Sequence, residues 1–243
     1  MLLMSGNGGG FTHGAQFDPA TISNLAMWHD PDNVASISSA VDSTVSDYYD
    51  LEGSADWTQA TSSLRPTLRE KNGVKWLEFA ADHMDLVGSD FDAVRYHFIG
   101  LVRPELVGKE GLIWGNSALN YQFGFWDDST TSRFRLVGVN SGDPDLWGNA
   151  LSYIGVPLTW QIFEAELQPA SASLAIDGST VSTSGVPQNE PIWFNTLGYL
   201  NLTSARFSGG MGEHIVTQNP MSASDRSKVI AHLAVKRDLL NAP

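Results

Sequence analysis

The feature that most constrains this chain is a long succession of short apolar or alternating segments, divided by turn-forming Gly, Asn, Asp and Pro residues. Residues 96–102 form a nearly continuous apolar run, which is typical of a central sandwich strand. Residues 74–79 alternate, with Val74, Trp76 and Glu78 on one face. The regular spacing predicts antiparallel sheets. Further strands are predicted at residues 26–29, 112–114, 121–126, 133–139, 159–167, 172–178, 180–181, 193–194 and 212–216.

A single helix is predicted at the end of the chain. Ser222, followed three residues later by Asp225, resembles a capping box. Lys236 and Arg237 are expected in the last turn, where the helix dipole favours cations. Many strands and one helix predict an all-β, two-sheet antiparallel jelly-roll sandwich with a short C-terminal helix.

Length and glycine content predict the domain organisation. The 243 residues suit one sandwich domain, expected at residues 17–243. Residues 1–16 are rich in glycine and are expected to form a flexible N-terminal arm. The Asp177–Gly178 step predicts a hairpin turn.

Charge and cysteine content exclude several classes of function. The chain carries 14 basic and 27 acidic side chains, a net charge of -13, and no cysteine. A phosphate backbone would be repelled, so nucleic-acid binding is not expected. Thiolate catalysis, disulfides and Cys-based zinc sites are excluded. No segment has the character of a signal peptide or a membrane span, so we expect synthesis in the cytoplasm and no membrane insertion.

Three stretches, taken in order, resemble the laminin-G-like branch of the concanavalin A-like lectin/glucanase superfamily. The opening strand at residues 25–30 is similar to the family's "LxLWLD". The ending, Phe207 to Val216 followed by a helix through residues 232–237, is similar to "F-x-G-x-I-x-E" plus "YLAxKW". Between them, residues 45–50, 65–67 and 72–79 resemble the "W-x-D … RP … NG … F" block, although its usual Trp is absent. His232 and Arg237 replace aromatics that are common in the closing helix. The signature residues are mainly core and turn residues and carry no function across.

The resemblance implies a role in binding or assembly. Free-standing domains of this kind resemble bacteriophage virion proteins of tails, baseplates or heads. We therefore expect a non-catalytic, lectin-like virion protein that attaches to host-surface glycan or to neighbouring virion proteins. The arm at residues 1–16 would dock on those proteins or on a second copy of the chain. The alternatives are a purely structural assembly or decoration protein without glycan affinity, and a glycoside hydrolase.

The hydrolase alternative depends on paired carboxylates on one strand face, because alternate strand residues share a face. Glu164 and Glu166 are the nearest candidates, but the central Asp of a glucanase motif is missing and Gln168 stands where a third acid is needed. We interpret them as a solvated strand face and expect no catalytic residue. The six His residues show no zinc-binding spacing, and no metal site is assigned.

Sugar binding usually needs an aromatic platform flanked by polar side chains. Two loops supply both types, and Trp126 and Trp147 are expected to be exposed while Trp76 and Trp160 lie in the core. Acidic turns at residues 30–33, 126–128 and 143–145 also offer the oxygen ligands that calcium prefers, although turn formation explains each of them. The candidate carbohydrate-binding residues are Trp126, Asp127, Asp128, Asp143, Asp145, Trp147 and Asn149.

Overall fold

The computed structural model describes residues 17–53, 55–80, 82–87, 91–93, 96–105, 111–115, 121–127, 132–138, 152–154, 158–168, 171–184, 192–194, 196–198 and 207–243. In chain order the elements are β1 (Leu25–His29), β2 (Asp47–Tyr48), β3 (Asp56–Thr58), β4 (Thr67–Lys71), β5 (Val74–Ala80), β6 (Met84–Val87), β7 (Phe91–Ala93), β8 (Tyr96–Pro104), β9 (Gly111–Gly115), β10 (Tyr121–Asp127), β11 (Ser132–Gly138), β12 (Ser152–Ile154), β13 (Gln161–Gln168), β14 (Ser171–Ile176), β15 (Ser179–Ser184), β16 (Ile192–Phe194), β17 (Thr196–Leu197), β18 (Ser208–Thr217) and α1 (Ala223–Asn241). Short 3-10 helices lie at Pro19–Thr21 and Ser62–Leu64.

The strands form a two-sheet antiparallel sandwich, as the spacing of the segments predicts. The first sheet, which we call the helix-covered sheet, has the order β15-β14-β13-β8-β18-β5-β4. Its strand β18 pairs with β5 through Ser208–Met211 and with β1 through residues 214–217, so β1 and β5 follow one another along the same edge. The second sheet has the order β12-β11-β10-β9-β17-β6-β3-β2, and β16 pairs with β7 in a separate ribbon.

The main core lies between the two sheets. Tyr48 and Trp57 enter it from the second sheet, and Phe79, Phe98 and Phe163 enter it from the helix-covered sheet, all fully buried. Burying an aromatic side chain of this size contributes about 1.5–3 kcal/mol, so these inward-facing rings hold the sheets together.

The alternation predicted for residues 74–79 is confirmed. Leu77 and Phe79 point into the main core, whereas Val74 and Trp76 belong to a second apolar cluster under α1. Trp160 packs edge-on against Trp76 at 5.6 Å, which confirms that both indoles are core residues. The helix-covered sheet therefore has an apolar cluster on each of its two faces.

The closing helix begins as predicted but is longer than predicted. Ser222 is the N-cap, and its hydroxyl oxygen accepts a hydrogen bond from the Asp225 N–H at 3.1 Å. Because α1 continues to Asn241, the placement of Lys236 and Arg237 in the last turn is wrong. The end of the helix is fixed instead by the Asn241 amide, which bonds the backbone N–H and carbonyl of Trp160.

The hairpin predicted at Asp177–Gly178 is also confirmed. It joins β14 to β15, with positive φ angles of 49° and 80°. Both central residues are left-handed, as a type I′ turn requires, and this explains the Asp-Gly pair. Asn72 and Gly73 repeat this conformation between β4 and β5.

The expected arm at residues 1–16 lies outside the described residues, so the predicted division at residue 17 stays a prediction. Within the described part of the chain, no helix combines the length and apolar character needed to cross a bilayer.

Candidate functional site

Most of the sugar site predicted from the sequence falls where the structure gives no description. Trp126 and Asp127 are the last two residues of β10, and their backbones pair with Arg133 and Ser132 of β11. The other five candidates, Asp128, Asp143, Asp145, Trp147 and Asn149, lie outside the described residues. The predicted loop site stays a prediction.

The acidic turn that follows β1 is described, and it has a specific structure. The Asp30 carboxylate accepts the Asp32 N–H at 3.0 Å, which closes the turn. Asp32 in turn accepts the Lys75 N–H at 2.6 Å, which ties the turn to β5. Asp30 is only 9% exposed. The turn therefore carries carboxylates into the protein rather than toward solvent.

A lysine from α1 lies among these carboxylates. The Lys236 ammonium nitrogen is 2.7 Å from Glu213 Oε2 on β18, 2.8 Å from Asp30 Oδ1 and 2.9 Å from Asp32 Oδ2. An ammonium has three N–H donors, so each carboxylate takes one. We call Glu213, Lys236, Asp30 and Asp32 the Glu213 cluster. The carboxylates of the acidic turn at residues 30–33, which were expected to offer oxygen ligands to calcium, pair instead with the Lys236 ammonium.

Two rings close over Glu213. The Trp28 indole N–H donates to Glu213 Oε1 at 2.9 Å, and His232 Nε2 is 2.8 Å from Oε2. Because a carboxylate only accepts, His232 Nε2 carries the proton and donates it. The pairing of Trp28 with Ile215 across β1 and β18 places the indole beside Glu213. The register of β1 and β18 positions Trp28 beside Glu213, and α1 positions His232 there.

The electrostatics of the Glu213 cluster are uneven. Burial raises the pKa of Glu213, but the hydrogen bond from His232 and the charge of Lys236 outweigh it and lower the pKa to about 2. Burial, followed by the charge of Glu213, raises the pKa of Asp30 to about 6 despite Lys236. Burial opposes the charge of Lys236, yet the surrounding carboxylates hold its pKa above the usual value. One ammonium therefore does not fully compensate three carboxylates.

A pocket opens directly beside the Glu213 cluster. Its volume is about 300 Å³, and its lining consists of Phe17, Asp18, Trp28, Asp30, Asn33 and His232. We call it the Trp28 pocket. Phe17 and His232 face each other with ring centroids 5.7 Å apart. The pocket thus combines aromatic surfaces with carboxylate and amide groups, which is the combination expected of a polar small-molecule site.

A second buried carboxylate lies under the first turns of α1. Glu164 Oε1 and Oε2 accept from Arg226 Nε and Nη2 at 2.5 and 2.6 Å. Its Oε1 is also 2.7 Å from His97 Nε2, while His97 Nδ1 accepts the Met221 N–H at 3.1 Å. We call Glu164, His97 and Arg226 the Glu164 clamp. Burial raises the pKa of Glu164, but the hydrogen bonds from His97 and Arg226 outweigh it and hold the pKa below its usual value.

The Glu164 clamp corrects the interpretation of residues 164 and 166 as a solvated strand face. Glu164 is only 4% exposed, because α1 covers this face of β13. Glu166 is half-buried at the edge of the helix and accepts from the Gln168 amide. The alternation correctly separates the two faces of β13, but it does not reveal that a helix covers the polar one.

A third polar group lies inside the main core. The His29 and His214 rings stack at 4.9 Å, and the Tyr48 ring meets His29 edge-on at 4.8 Å. Burial lowers the pKa of His29 to about 3, and burial together with the charge of His29 does the same for His214. Among the described residues, no group of three or more His, Asp or Glu has a metal-binding arrangement.

Comparison with known proteins places the fold. No protein-family model matches the chain, and no match was found among curated proteins. A sialidase of Trypanosoma rangeli in complex with sialic acid superposes with a TM-score of 0.57 and 12% identity, over 92% of this chain and 35% of the sialidase. The binding domain of Paraclostridial Mosquitocidal Protein 1 gives 0.54 and 12%, over 88% and 52%.

A third structure is similar over nearly its whole length. Domain 4 of AbnA, a GH43 extracellular arabinanase from Geobacillus stearothermophilus, in complex with arabinotriose, gives a TM-score of 0.55 at 14% identity, over 86% of this chain and 99% of that domain. By contrast, the chain spans about a third of the sialidase and about half of the mosquitocidal binding domain. At these identities the likeness shows a shared β-sandwich fold. The virion assignment stays a prediction.

Proposed function

We propose that this chain is a non-catalytic, glycan-binding β-sandwich module, and that the Trp28 pocket holds part of its ligand. The observation that carries the proposal is the composition of the pocket. Sugar rings present apolar C–H faces and polar hydroxyl edges, and they need aromatic surfaces beside hydrogen-bonding groups. Phe17, Trp28 and His232 supply the rings, and Asp30 and Asn33 supply the polar groups.

Size and rigidity also support this proposal. A volume of about 300 Å³ lies at the lower end of the range for small-molecule pockets, which suits one or two sugar rings. Trp28 and His232 are both held by Glu213, so two walls are fixed before a ligand arrives. A preformed pocket reduces the entropy lost on binding. Two of the similar sandwiches come from proteins whose structures contain sugars, sialic acid and arabinotriose.

The setting in a bacteriophage virion is a proposal supported by the sequence resemblance alone. In that setting, residues 1–16 would attach the module to other virion proteins or to a second copy of the chain. The assembly alternative predicts stable oligomers without glycan affinity. The hydrolase alternative loses support from Glu164, because that carboxylate is covered by α1 and paired with Arg226.

The test is calorimetric titration of the purified protein with a broad panel of oligosaccharides, with calcium and with chelator. We expect saturable binding that Phe17→Ala weakens about 3- to 10-fold, since one aromatic contact is lost. Tyr49→Ala is the matched control, because Tyr49 is 43% exposed and does not line the pocket. Trp126→Ala and Trp147→Ala test the loop site predicted from the sequence.

The outcomes separate the hypotheses. Binding that depends on Phe17 supports the Trp28 pocket. Binding that is lost only in Trp126→Ala or Trp147→Ala moves the site to the loops and keeps the glycan-binding function. No binding by the folded protein, together with oligomers detected by light scattering, favours the assembly protein.

A further inference from the structure

The lining of the Trp28 pocket is acidic without a matching cation. Among the described residues, Asp18 and Asp30 line the pocket and none of its lining residues is Lys or Arg. Asp32 and Glu213 share the Lys236 ammonium with Asp30. The only formal positive charge in the adjoining Glu213 cluster is the Lys236 ammonium. Whether an anionic ligand would find a cationic partner in this pocket therefore depends on whether Lys236 has an N–H donor that is not already used.

Lys236 has none left. Its three donors are matched by three carboxylate oxygens at 2.7–2.9 Å, and its side chain is only 14% exposed. The His232 Nε2 proton is likewise committed to Glu213. A ligand carboxylate entering the pocket would lose its hydration and gain no cationic partner from these groups. It would also approach Asp18 and Asp30, and like charges at short range repel.

We propose that the Trp28 pocket selects its sugar by charge: it accepts amino sugars best, accepts neutral sugars, and excludes uronic and sialic acids. This inference rests on the proposed glycan-binding function and names the ligand class for the same pocket. A protonated amine would donate to Asp30 or Asp18, which a neutral hydroxyl does more weakly because charge-assisted hydrogen bonds are stronger. The expected ligand is thus opposite in charge to sialic acid, which is bound in one of the similar structures.

The experiment compares small oligosaccharides that carry a positive charge, no charge or a negative charge. Chitosan trisaccharide, chitin trisaccharide and trigalacturonate provide a cationic, a neutral and an anionic probe, and 3′-sialyllactose is compared with lactose. Affinities are measured by calorimetry at low and at physiological salt. We expect the cationic probe to bind about 5- to 10-fold more tightly than the neutral one at low salt, and the gap to narrow as salt screens the charges. Each anionic probe should bind at least about 10-fold more weakly than its neutral counterpart.

A variant within the pocket sharpens the test. Asn33 is half-buried in the lining, and its side chain otherwise accepts only the Ala35 N–H. Asn33→Lys introduces a cation and should reduce or reverse the discrimination between trigalacturonate and chitin trisaccharide. Asn33→Gln changes the same position without adding charge and should leave the discrimination within about 2-fold.

Failure of this inference is distinguishable from failure of the proposed function. If no probe binds, the glycan-binding proposal fails. If sialyllactose or trigalacturonate binds as tightly as its neutral counterpart, and Phe17→Ala weakens that binding, the pocket binds glycans but does not select by charge. If the preference for the cationic probe is unchanged in Asn33→Lys, which adds a cation to the pocket, it arises from the net charge of -13 rather than from the pocket. That result would overturn the inference.

Discussion

The Glu164 clamp and the Glu213 cluster both stabilise a buried carboxylate, but they differ in how its charge is compensated. Each buries a carboxylate of the helix-covered sheet under α1 and pairs it with one His and one basic residue of the protein. In the Glu164 clamp, one Arg meets one carboxylate through two parallel hydrogen bonds. In the Glu213 cluster, one Lys serves three carboxylates. The clamp is balanced in charge, whereas the cluster retains an excess of negative charge.

This difference separates a structural pair from a candidate binding site. His97 in the clamp is the neutral Nε2–H tautomer, because its Nδ1 accepts a backbone N–H. Every group there has a partner within the protein. The cluster instead borders the Trp28 pocket, and the pKa of Asp30 is raised to about 6 there. In a structural ion pair, all charged and polar groups should have partners within the protein. In a site that binds cations or hydroxyl donors, some acceptor capacity should remain for the ligand.

The comparison predicts that the largest stability loss follows removal of the Lys236 charge. Lys236→Met keeps the aliphatic stem but leaves Glu213, Asp30 and Asp32 without their cation. We expect a loss of about 3–5 kcal/mol in the free energy of unfolding at pH 7, because uncompensated buried charges are costly. Urea unfolding measures the change.

The control for that variant is Lys228→Met, on an exposed part of the same helix. Lys228 is 55% exposed and pairs with Asp225 at 3.2 Å. We expect a change within about 0.5 kcal/mol, as for other exposed ion pairs. If both variants lose the same small amount, Lys236 does not compensate the cluster as described.

The Glu164 clamp predicts a smaller and asymmetric effect. Arg226→Met leaves a buried carboxylate with only His97 and should cost about 2–3 kcal/mol. Glu164→Gln leaves an Arg whose side chain is 30% exposed, so water can solvate it, and should cost about 1–2 kcal/mol. The double variant should cost less than the sum of the two.

Enzyme assays complete this second test. The clamp assigns Glu164 to stability, so Glu164→Gln should not alter turnover of any β-glucan. If the wild-type protein hydrolyses such a substrate and Glu164→Gln stops it while the fold is retained, the structural assignment of Glu164 is wrong.

Features that depend on local pattern could be predicted from the sequence. The two faces of β5 follow from alternation, the Asp177–Gly178 hairpin from turn chemistry, and the N-cap from Ser222. In each case neighbouring residues within one element determine the conformation, so the strand, turn and cap rules apply directly.

The Glu213 cluster could not be predicted in this way, because its members come from a turn, a strand and a helix far apart in the chain. One local signal was present: His232 and Lys236 are four residues apart and therefore share a helix face. That spacing indicates a polar stripe on α1, but not which carboxylates meet it. The burial of Glu164 was missed for the same reason, since the sequence does not state which sheet face the helix covers.

Stability is also expected to depend on pH, and this dependence distinguishes the Glu213 cluster from the core histidines. In the unfolded chain His29 and His214 take up protons near pH 6.5, whereas in the folded protein their pKa values are about 3. Between these values the unfolded state binds up to two more protons, so stability falls as the pH falls. Asp30 acts in the opposite direction, because its folded pKa of about 6 exceeds its ordinary value of 3.8.

Near pH 5 the net difference is therefore about one proton, and we expect stability to fall by about 1.4 kcal/mol per pH unit. Urea unfolding between pH 6 and 4.5 measures the slope. Asp30→Asn removes the opposing carboxyl and should roughly double the slope, whereas His29→Leu should reduce the slope. A slope that is unchanged by Asp30→Asn would mean that Asp30 is as well compensated as Glu164. The Glu213 cluster would then be a structural ion-pair group like the Glu164 clamp, and the excess negative charge assigned to the Trp28 pocket would be absent.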